Sequence, residues 1–233
     1  PALAAAPADA RTAAVAPVVA ALAADGVVEG WRDELVPVTR AWDAPPAFLV
    51  ERAAYPLLGA KGYGVHVNGF VEEKGELKIW VAKRAATKQT YPGLLDHIAA
   101  GQLAEGSPGD NVVREAQEEA GVPEDIARKA MPAGAVSYRG VGGEGKGERV
   151  TNEILFCYDL ELPPDFSPKV VDGEVESFSL NSVDVVLEDL VAARFKPNVA
   201  VVTIDFLVRR GLIAPELDGY LPLVGALRRG DCS

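Results

Sequence analysis

One stretch constrains this chain more than any other: Arg114-Glu115-Ala116-Gln117-Glu118-Glu119-Ala120-Gly121-Val122. It places three carboxylates on one short segment of helical pattern. At about 100° per residue, Glu115, Glu118 and Glu119 fall within a single arc of the helix surface. The like charges at Glu115 and Glu119 are four residues apart and repel by roughly 0.2–0.5 kcal/mol. A helix gains nothing structural from such a cluster. A divalent cation gives it a purpose, because hard cations such as Mg²⁺ are held by a few carboxylate oxygens plus substrate phosphates.

The flanking residues predict where this helix begins and ends. Ser107 has the side chain of an N-cap, Pro108 suits the first helical position, and Asp110 stands where a capping-box acid would. Val112, Val113, Ala116 and Ala120 recur at helical spacing as a buried stripe. Gly121 suits a left-handed C-terminal cap, and Pro123 prevents continuation. Arg114 precedes Glu118 by four residues, the weaker order for an ion pair. Its expected role is to hold one of the acids or a nearby loop carbonyl in place.

Along the rest of the chain the apolar pattern changes period. Residues 11–25 predict a short helix ending at Gly26. Residues 27–60 mix short apolar pieces with prolines. Residues 62–71 alternate as a strand, and residues 77–84 form a second, joined to the first through Glu72–Glu76 as a hairpin. Residues 87–100 read as a loop carrying His97, and the carboxylate helix follows. Residues 133–138 and 153–162 read as strands flanking a Gly-rich tip at 140–147, and 175–180 as another. Residues 183–193, 199–210 and 220–229 follow as helices. The tip lacks the Gly-Lys-Ser/Thr ending of a phosphate loop and the helix that should follow it. This order predicts an α+β sandwich with a mixed sheet.

Composition narrows the function classes. The chain has 233 residues, 48% of them hydrophobic, which is ordinary for a globular protein. Lys plus Arg is 23 and Asp plus Glu is 34, for a net charge of -11. That charge argues against non-specific binding to nucleic acid or an anionic membrane. It leaves phosphate substrates open, because a bound cation reverses the local charge. Cys157, in an apolar run, and Cys232, beside the last residue, form no disulfide framework or metal spacing, so a reducing compartment is expected. No apolar stretch reaches the length of a membrane span. The chain opens on an Ala/Pro-rich segment without a start Met, which reads as a mature or truncated form.

The carboxylate stretch resembles the second half of the Nudix box, which ends Arg-Glu-apolar-x-Glu-Glu-x-Gly-apolar. Further segments resemble one Nudix subfamily. They include Trp31-Arg32-Asp33-Glu34-Leu35, Glu51-Arg52-Ala53-Ala54, Thr90-Tyr91-Pro92-Gly93-Leu94-Leu95-Asp96-His97, Phe156-Cys157-Tyr158-Asp159 and Asp172-Gly173-Glu174-Val175. That subfamily is related to the Nudix part of thiamine pyrophosphokinase fusions, and its plant-type members are plastid proteins. The resemblance runs from about Arg11 to Ser233. It departs from the general box in one respect. The Glu expected eight residues before Arg114 is replaced by Gly106, with Glu105 beside it, and Gly101 stands thirteen before Arg114.

The resemblance implies a Nudix fold, a mixed β-sheet sandwiched between helices, over residues 61–233. A family-specific region would occupy residues 1–60. It implies Mg²⁺ or Mn²⁺ as cofactor and a small-molecule diphosphate as substrate, with no nucleic acid and no membrane partner. The implied substrates are thiamine diphosphate and its oxidised analogues, cut to the monophosphate and phosphate. A monomer or homodimer working in the chloroplast stroma, or otherwise the cytoplasm, would follow. Glu115, Glu118 and Glu119 would hold the metal, with Glu118, Glu119 and Arg114 in the catalytic centre and Glu174 as a distal acid. Arg84 and Lys88, with Lys83 nearby, are cations placed to meet phosphates. His97 is a candidate substrate contact, and Tyr91 and Trp80 are candidates for stacking on a ring. His66 and Asn68 read as structural. Two other readings stay open: a Nudix hydrolase of nucleoside diphosphate derivatives, and an inactive Nudix fold used as a binding module.

Overall fold

The carboxylate helix and the strands around it set the architecture. The structure is a computed structural model that describes residues 5–104, 106–142 and 149–230. Its elements in chain order are α1 (Ala8–Ala24), β1 (Leu35–Val38), β2 (Phe48–Glu51), a 3₁₀ turn (Tyr55–Leu58), β3 (Gly62–Glu73), β4 (Glu76–Arg84), β5 (Leu95–Asp96) and β6 (Ala99–Gln102). Then come α2 (Pro108–Ala120), α3 (Glu124–Ala127), β7 (Met131–Gly142), β8 (Arg149–Glu161), β9 (Val175–Ser182), α4 (Val183–Val191), α5 (Pro197–Arg209) and α6 (Tyr220–Ala226).

The central sheet is mixed. β3 pairs with β8 in parallel along its length, while its other edge is shared. Residues 64–67 pair antiparallel with β6, and residues 70–73 with β4. β7 extends the sheet beyond β8, and β9 lies along β4. The β3–β4 hairpin turns at Lys74 and Gly75, both at positive φ (55° and 81°), the twist a two-residue hairpin needs.

Period-2 alternation decides which helix covers which face. Val65, Val67 and Val71 of β3 point toward α2, where they meet Val112, Val113, Ala116 and Ala120. Phe70 points the other way, onto Val199, Phe206 and Leu207 of α5. Phe206 and Leu207 are fully buried. Burying each contributes about 2 kcal/mol, so α5 is a principal anchor of that face. The sheet is therefore sandwiched between α2 on one side and α4–α5 on the other, an α+β fold as expected.

Residues 8–58 build a smaller layer with its own core of Val19, Val28, Val36, Val50, Ala54 and Tyr55. α1 is tied to the β1–β2 hairpin where the Leu49 amide donates to Thr12 Oγ1 at 2.8 Å. This layer docks on the main sheet through Trp42, whose ring centroid lies 4.9 Å from those of both Tyr63 and Phe156.

Several local expectations are corrected. Residues 87–100 contain β5 and the start of β6, because both find partners on β4 and β3 that no local alternation announces. Residues 27–60 contain the β1–β2 hairpin despite their prolines. The strand expected at 133–138 runs on to Gly142, so part of the Gly-rich tip belongs to β7, while residues 143–148 lie outside the described residues. Cys157 is buried among apolar neighbours, and burial pushes its thiol up to about 12. Cys232 lies outside the described residues.

His97 is interior rather than exposed to ligand. Its Nε2 lies 3.1 Å from Thr203 Oγ1, whose own proton goes to the Val199 carbonyl. Nε2 is therefore the donor, and Nδ1 is left to accept from His66 Nδ1 at 2.9 Å. The pair holds only while the His97 ring is neutral, because a protonated Nδ1 cannot accept. Burial lowers both, His97 to about 4, with the nearby Asp96 carboxylate only partly opposing it. Both rings are neutral in folded and unfolded chains above 6.5, so their full contribution is present there. As the pH falls toward 4 the unfolded chain takes up protons that the folded chain refuses, and stability is lost. At pH 5 the loss from His97 alone is about 2 kcal/mol. The drop in unfolding midpoint between pH 7 and pH 5 should therefore be smaller in His97→Gln than in the parent chain, by thermal or denaturant melts. An equal or larger drop would contradict this account.

Candidate active site

α2 begins and ends as its residues dictate. Ser107 accepts from the Asp110 amide at 3.1 Å, Pro108 opens the helix, and Gly121 closes it at φ 62°. The apolar stripe faces the sheet, which fixes the rotation of the helix and delivers the glutamates to its rim. Glu119 is half-buried, and its Oε2 accepts from the Ala100 amide of β6 at 3.0 Å. Glu115 lies against Gly101. A Cβ built there would sit 2.1 Å from the Glu115 carboxyl carbon, so only glycine leaves room for the acid. Glu118 is more exposed, at the solvent side of the arc.

Arg114 bridges the acids. Its guanidinium reaches Glu115 Oε1 at 2.7 Å, Glu118 Oε2 at 3.2 Å and Asn111 Oδ1 at 2.7 Å. Burial raises the Glu115 carboxyl, partly offset by Arg114. Burial also raises Glu119 well above the usual carboxylate range, and Asp96, Glu115 and Glu174 push it the same way. These are carboxylates short of positive charge.

A cavity of about 790 Å³ opens beside them. Glu115, Glu118 and Glu119 line it from α2, and Asp172, Glu174 and Lys88 line it from the facing loops. One carboxylate oxygen from each of Glu119, Asp172 and Glu174 can be chosen so that all three lie within 4.8 Å of one another. Asp172 also caps its own turn, accepting from the Glu174 amide at 2.8 Å. Lys88 forms an ion pair with Glu174. This donor set of hard oxygens, partly desolvated and mutually repelling, fits a divalent cation of the Mg²⁺ or Mn²⁺ kind. A second group, His66, Asp96 and His97, also has ligand atoms within 4.8 Å. It does not fit a cation as well. The Asp96 carboxylate is already paired with Arg84 at 2.6 Å, the two imidazoles bond one another, and the Lys196 charge opposes protonation of both rings.

The structure distributes the remaining candidates unevenly. Arg84 lines the cavity, but its guanidinium is engaged by Asp96 and by the carbonyls of Thr90 and Tyr91 at 2.9 and 3.0 Å. It shapes the 85–94 loop. Tyr91 sits at φ 52°, half exposed, and is not among the cavity-lining residues. His97 does not line the cavity either, being closed off by His66 and Thr203. Trp80 is buried in the core beneath α2, and Lys83 pairs with Glu176 at 2.8 Å. His66 does line the cavity, and Asn68 bonds Asp159 at 2.9 Å. Glu105 lies outside the described residues.

Sequence reasoning missed several residues of this cavity. Asp172 was within reach, since Asp-Gly-Glu is a turn that presents two acids together. Lys196 and Glu153 carried no local signal, because they meet the cavity only through the pairing of β8 and the start of α5. The early region was also missed. Arg32, Arg52 and Tyr55 form part of the wall, with Arg52 paired to Glu34 at 3.0 Å and Arg149 to Glu29 at 3.5 Å.

The Gly101 contact is testable. Gly101→Ala must displace the Glu115 carboxylate, and disturbing a ligand's support typically costs about 10–100-fold in metal affinity. Calorimetric Mn²⁺ titration should show a loss of that order with the unfolding midpoint little changed. Unaltered affinity would contradict the assigned packing.

A model described as the NUDIX domain matches residues 61–200, and one described as a domain of unknown function, DUF4743, matches residues 3–62. "Nudix hydrolase 20, chloroplastic" of Arabidopsis thaliana is 49% identical over 225 residues, covering 96% of this chain and 59% of that protein. "Nudix hydrolase 24, chloroplastic" of the same plant is 48% identical over 227 residues, covering 96% and 60%. "Uncharacterized protein YJR142W" of Saccharomyces cerevisiae is 40% identical over 217 residues, covering 87% and 62%. The chain thus spans about three fifths of the length of these relatives. With the Nudix model matching more than half of its residues, the chain belongs to the Nudix family.

Proposed function

We propose that this chain is a metal-dependent hydrolase of organic diphosphates that cleaves thiamine diphosphate and its oxidised analogues to the monophosphate and phosphate. One observation carries the reading: acids from α2 and from the Asp172–Glu174 turn converge on a single cavity that also presents Lys88. The names of the two Arabidopsis relatives support hydrolysis. The thiamine assignment rests on the resemblance of the whole chain to that Nudix subfamily. We further propose the chloroplast stroma as the compartment, supported by the word chloroplastic in both names. No helix among the described residues is long and apolar enough to cross a membrane.

Glu115, Glu118 and Glu119 would hold Mg²⁺ or Mn²⁺, with Glu174 and Asp172 completing the oxygen set. When bound, the ion supplies charge neutralisation at the diphosphate oxygens and a more acidic water. Arg114 orients Glu115 and Glu118 by bridging them. Lys88 offers its ammonium to a phosphate oxygen in exchange for its pairing with Glu174. Glu174, so released, is a candidate to take the proton from the attacking water. Glu119, already raised by burial, is the other. Close carboxylates titrate as a set, so the proton-accepting property belongs to the cluster.

Phosphate release from thiamine diphosphate and its oxo analogue, with and without Mg²⁺, tests the reading. Turnover should require the metal, and Glu118→Gln or Glu119→Gln should lower kcat by about 10²–10⁴-fold while the melting curve stays cooperative. Near-normal turnover by both variants at saturating Mg²⁺ would overturn the metal-ligand roles. A clear preference for ADP-ribose would move the substrate to the nucleoside diphosphate derivatives. Absence of both turnover and Mn²⁺ binding would favour an inactive binding module.

A further inference from the structure

The cavity has a further acid, outside both α2 and the Asp172–Glu174 turn and provided by the sheet. Glu153 of β8 lines it together with Tyr55, Tyr63 and Tyr138. Its place is prepared by its neighbours. In the sheet it stands between Gly62 of β3 and Tyr138 of β7. A Cβ built on Gly62 would lie 2.5 Å from Glu153 Oε2, so the carboxylate fits because that position has no side chain. Tyr55, from the layer formed by residues 8–58, donates its hydroxyl to Glu153 Oε1. Glu153 is half-buried; that burial raises its carboxyl, while Tyr55 and Lys196 oppose the shift.

The charge of the proposed substrate decides which part of it meets this acid. A diphosphate is strongly negative and belongs with the cation and Lys88. The half-buried Glu153 carboxylate would repel it. The end of the cavity holding Glu153 therefore suits the organic group, provided that group supplies a hydrogen-bond donor or positive charge. Tyr55 and Tyr63 are buried, but Tyr138 beside Glu153 is only partly so, and its ring favours a flat group over a sugar or an alkyl chain.

We propose that Glu153, held by Tyr55, is the specificity-determining residue for the organic part of the substrate and recognises an amino-bearing or cationic nitrogen heterocycle. This rests on the diphosphate-hydrolase reading and assigns the early region a direct part in the site. Tyr55 is a positioning residue, acting through Glu153.

The test compares thiamine diphosphate with methyl diphosphate, whose organic group has no donor and no ring. Losing a hydrogen bond to a charged group costs about tenfold or more in affinity. Glu153→Gln should raise KM for thiamine diphosphate roughly tenfold more than KM for methyl diphosphate, and Tyr55→Phe should move the same ratio in the same direction. Equal effects on both substrates, or no effect, would overturn the proposal, since a purely structural contact would not discriminate between them. Tyr55→Phe carries the test if Glu153→Gln fails to fold. If the parent chain hydrolyses neither diphosphate, the hydrolase reading fails, and calorimetric binding of thiamine monophosphate decides this one separately. Weaker binding by either variant supports recognition by Glu153. Unchanged binding, or none to the parent chain, contradicts it.

Discussion

The seating of α2 on β6 is the constraint on which the site depends. Two contacts define it: the Ala100 amide donating to Glu119, and the bare backbone of Gly101 against Glu115. Both draw carboxylates out of water, which is unfavourable for a charged group without compensation. The compensation within the chain is incomplete. Arg114 serves Glu115 and Glu118, one amide serves Glu119, and Lys88 serves Glu174. A divalent ion would supply the missing charge. The fold thus holds its acids in an arrangement that is costly by itself and becomes favourable once a cation and a phosphate chain enter.

The layer formed by residues 8–58 has a physical role in this picture. It has its own small apolar core, but its polar face, with Arg32, Arg52 and Tyr55, turns toward the cavity. Without it the cavity would lose the Tyr55 contact to Glu153 and the wall that carries the Glu29–Arg149 pair. A Nudix sheet alone would present its acids to open solvent on that side. With the layer in place, the space beside them is a bounded cavity, where electrostatic interactions are stronger than in water.

The carboxylate helix was legible in the sequence because its signals are local: a cap, a proline, an apolar stripe and a closing glycine. The β3–β4 hairpin was legible for the same reason, through alternation and a tight turn. β5, β6 and the β1–β2 hairpin were not, because they are short and exist by pairing with distant strands. The same distinction divides the site. Glu115, Glu118, Glu119 and Arg114 follow from one contiguous motif. His97 and Tyr91 sit in a segment that looked like a loop facing ligand, whereas tertiary packing turns His97 inward onto Thr203 and leaves Tyr91 outside the cavity. Arg84 lines the cavity, but Asp96, on β5 paired to Arg84's own strand, claims its charge. Glu153 and Lys196 had no local mark, since only the assembled sheet and the start of α5 bring them to the cavity.

The central claim is that a divalent cation sits among the α2 acids and the Asp172–Glu174 turn. Crystals of the full chain soaked in Mn²⁺ give the most direct measurement, through anomalous scattering. The account predicts a peak bounded by carboxylate oxygens of Glu119 and its neighbours in the cavity. A peak between His66, Asp96 and His97 instead, or none in the cavity, would contradict it.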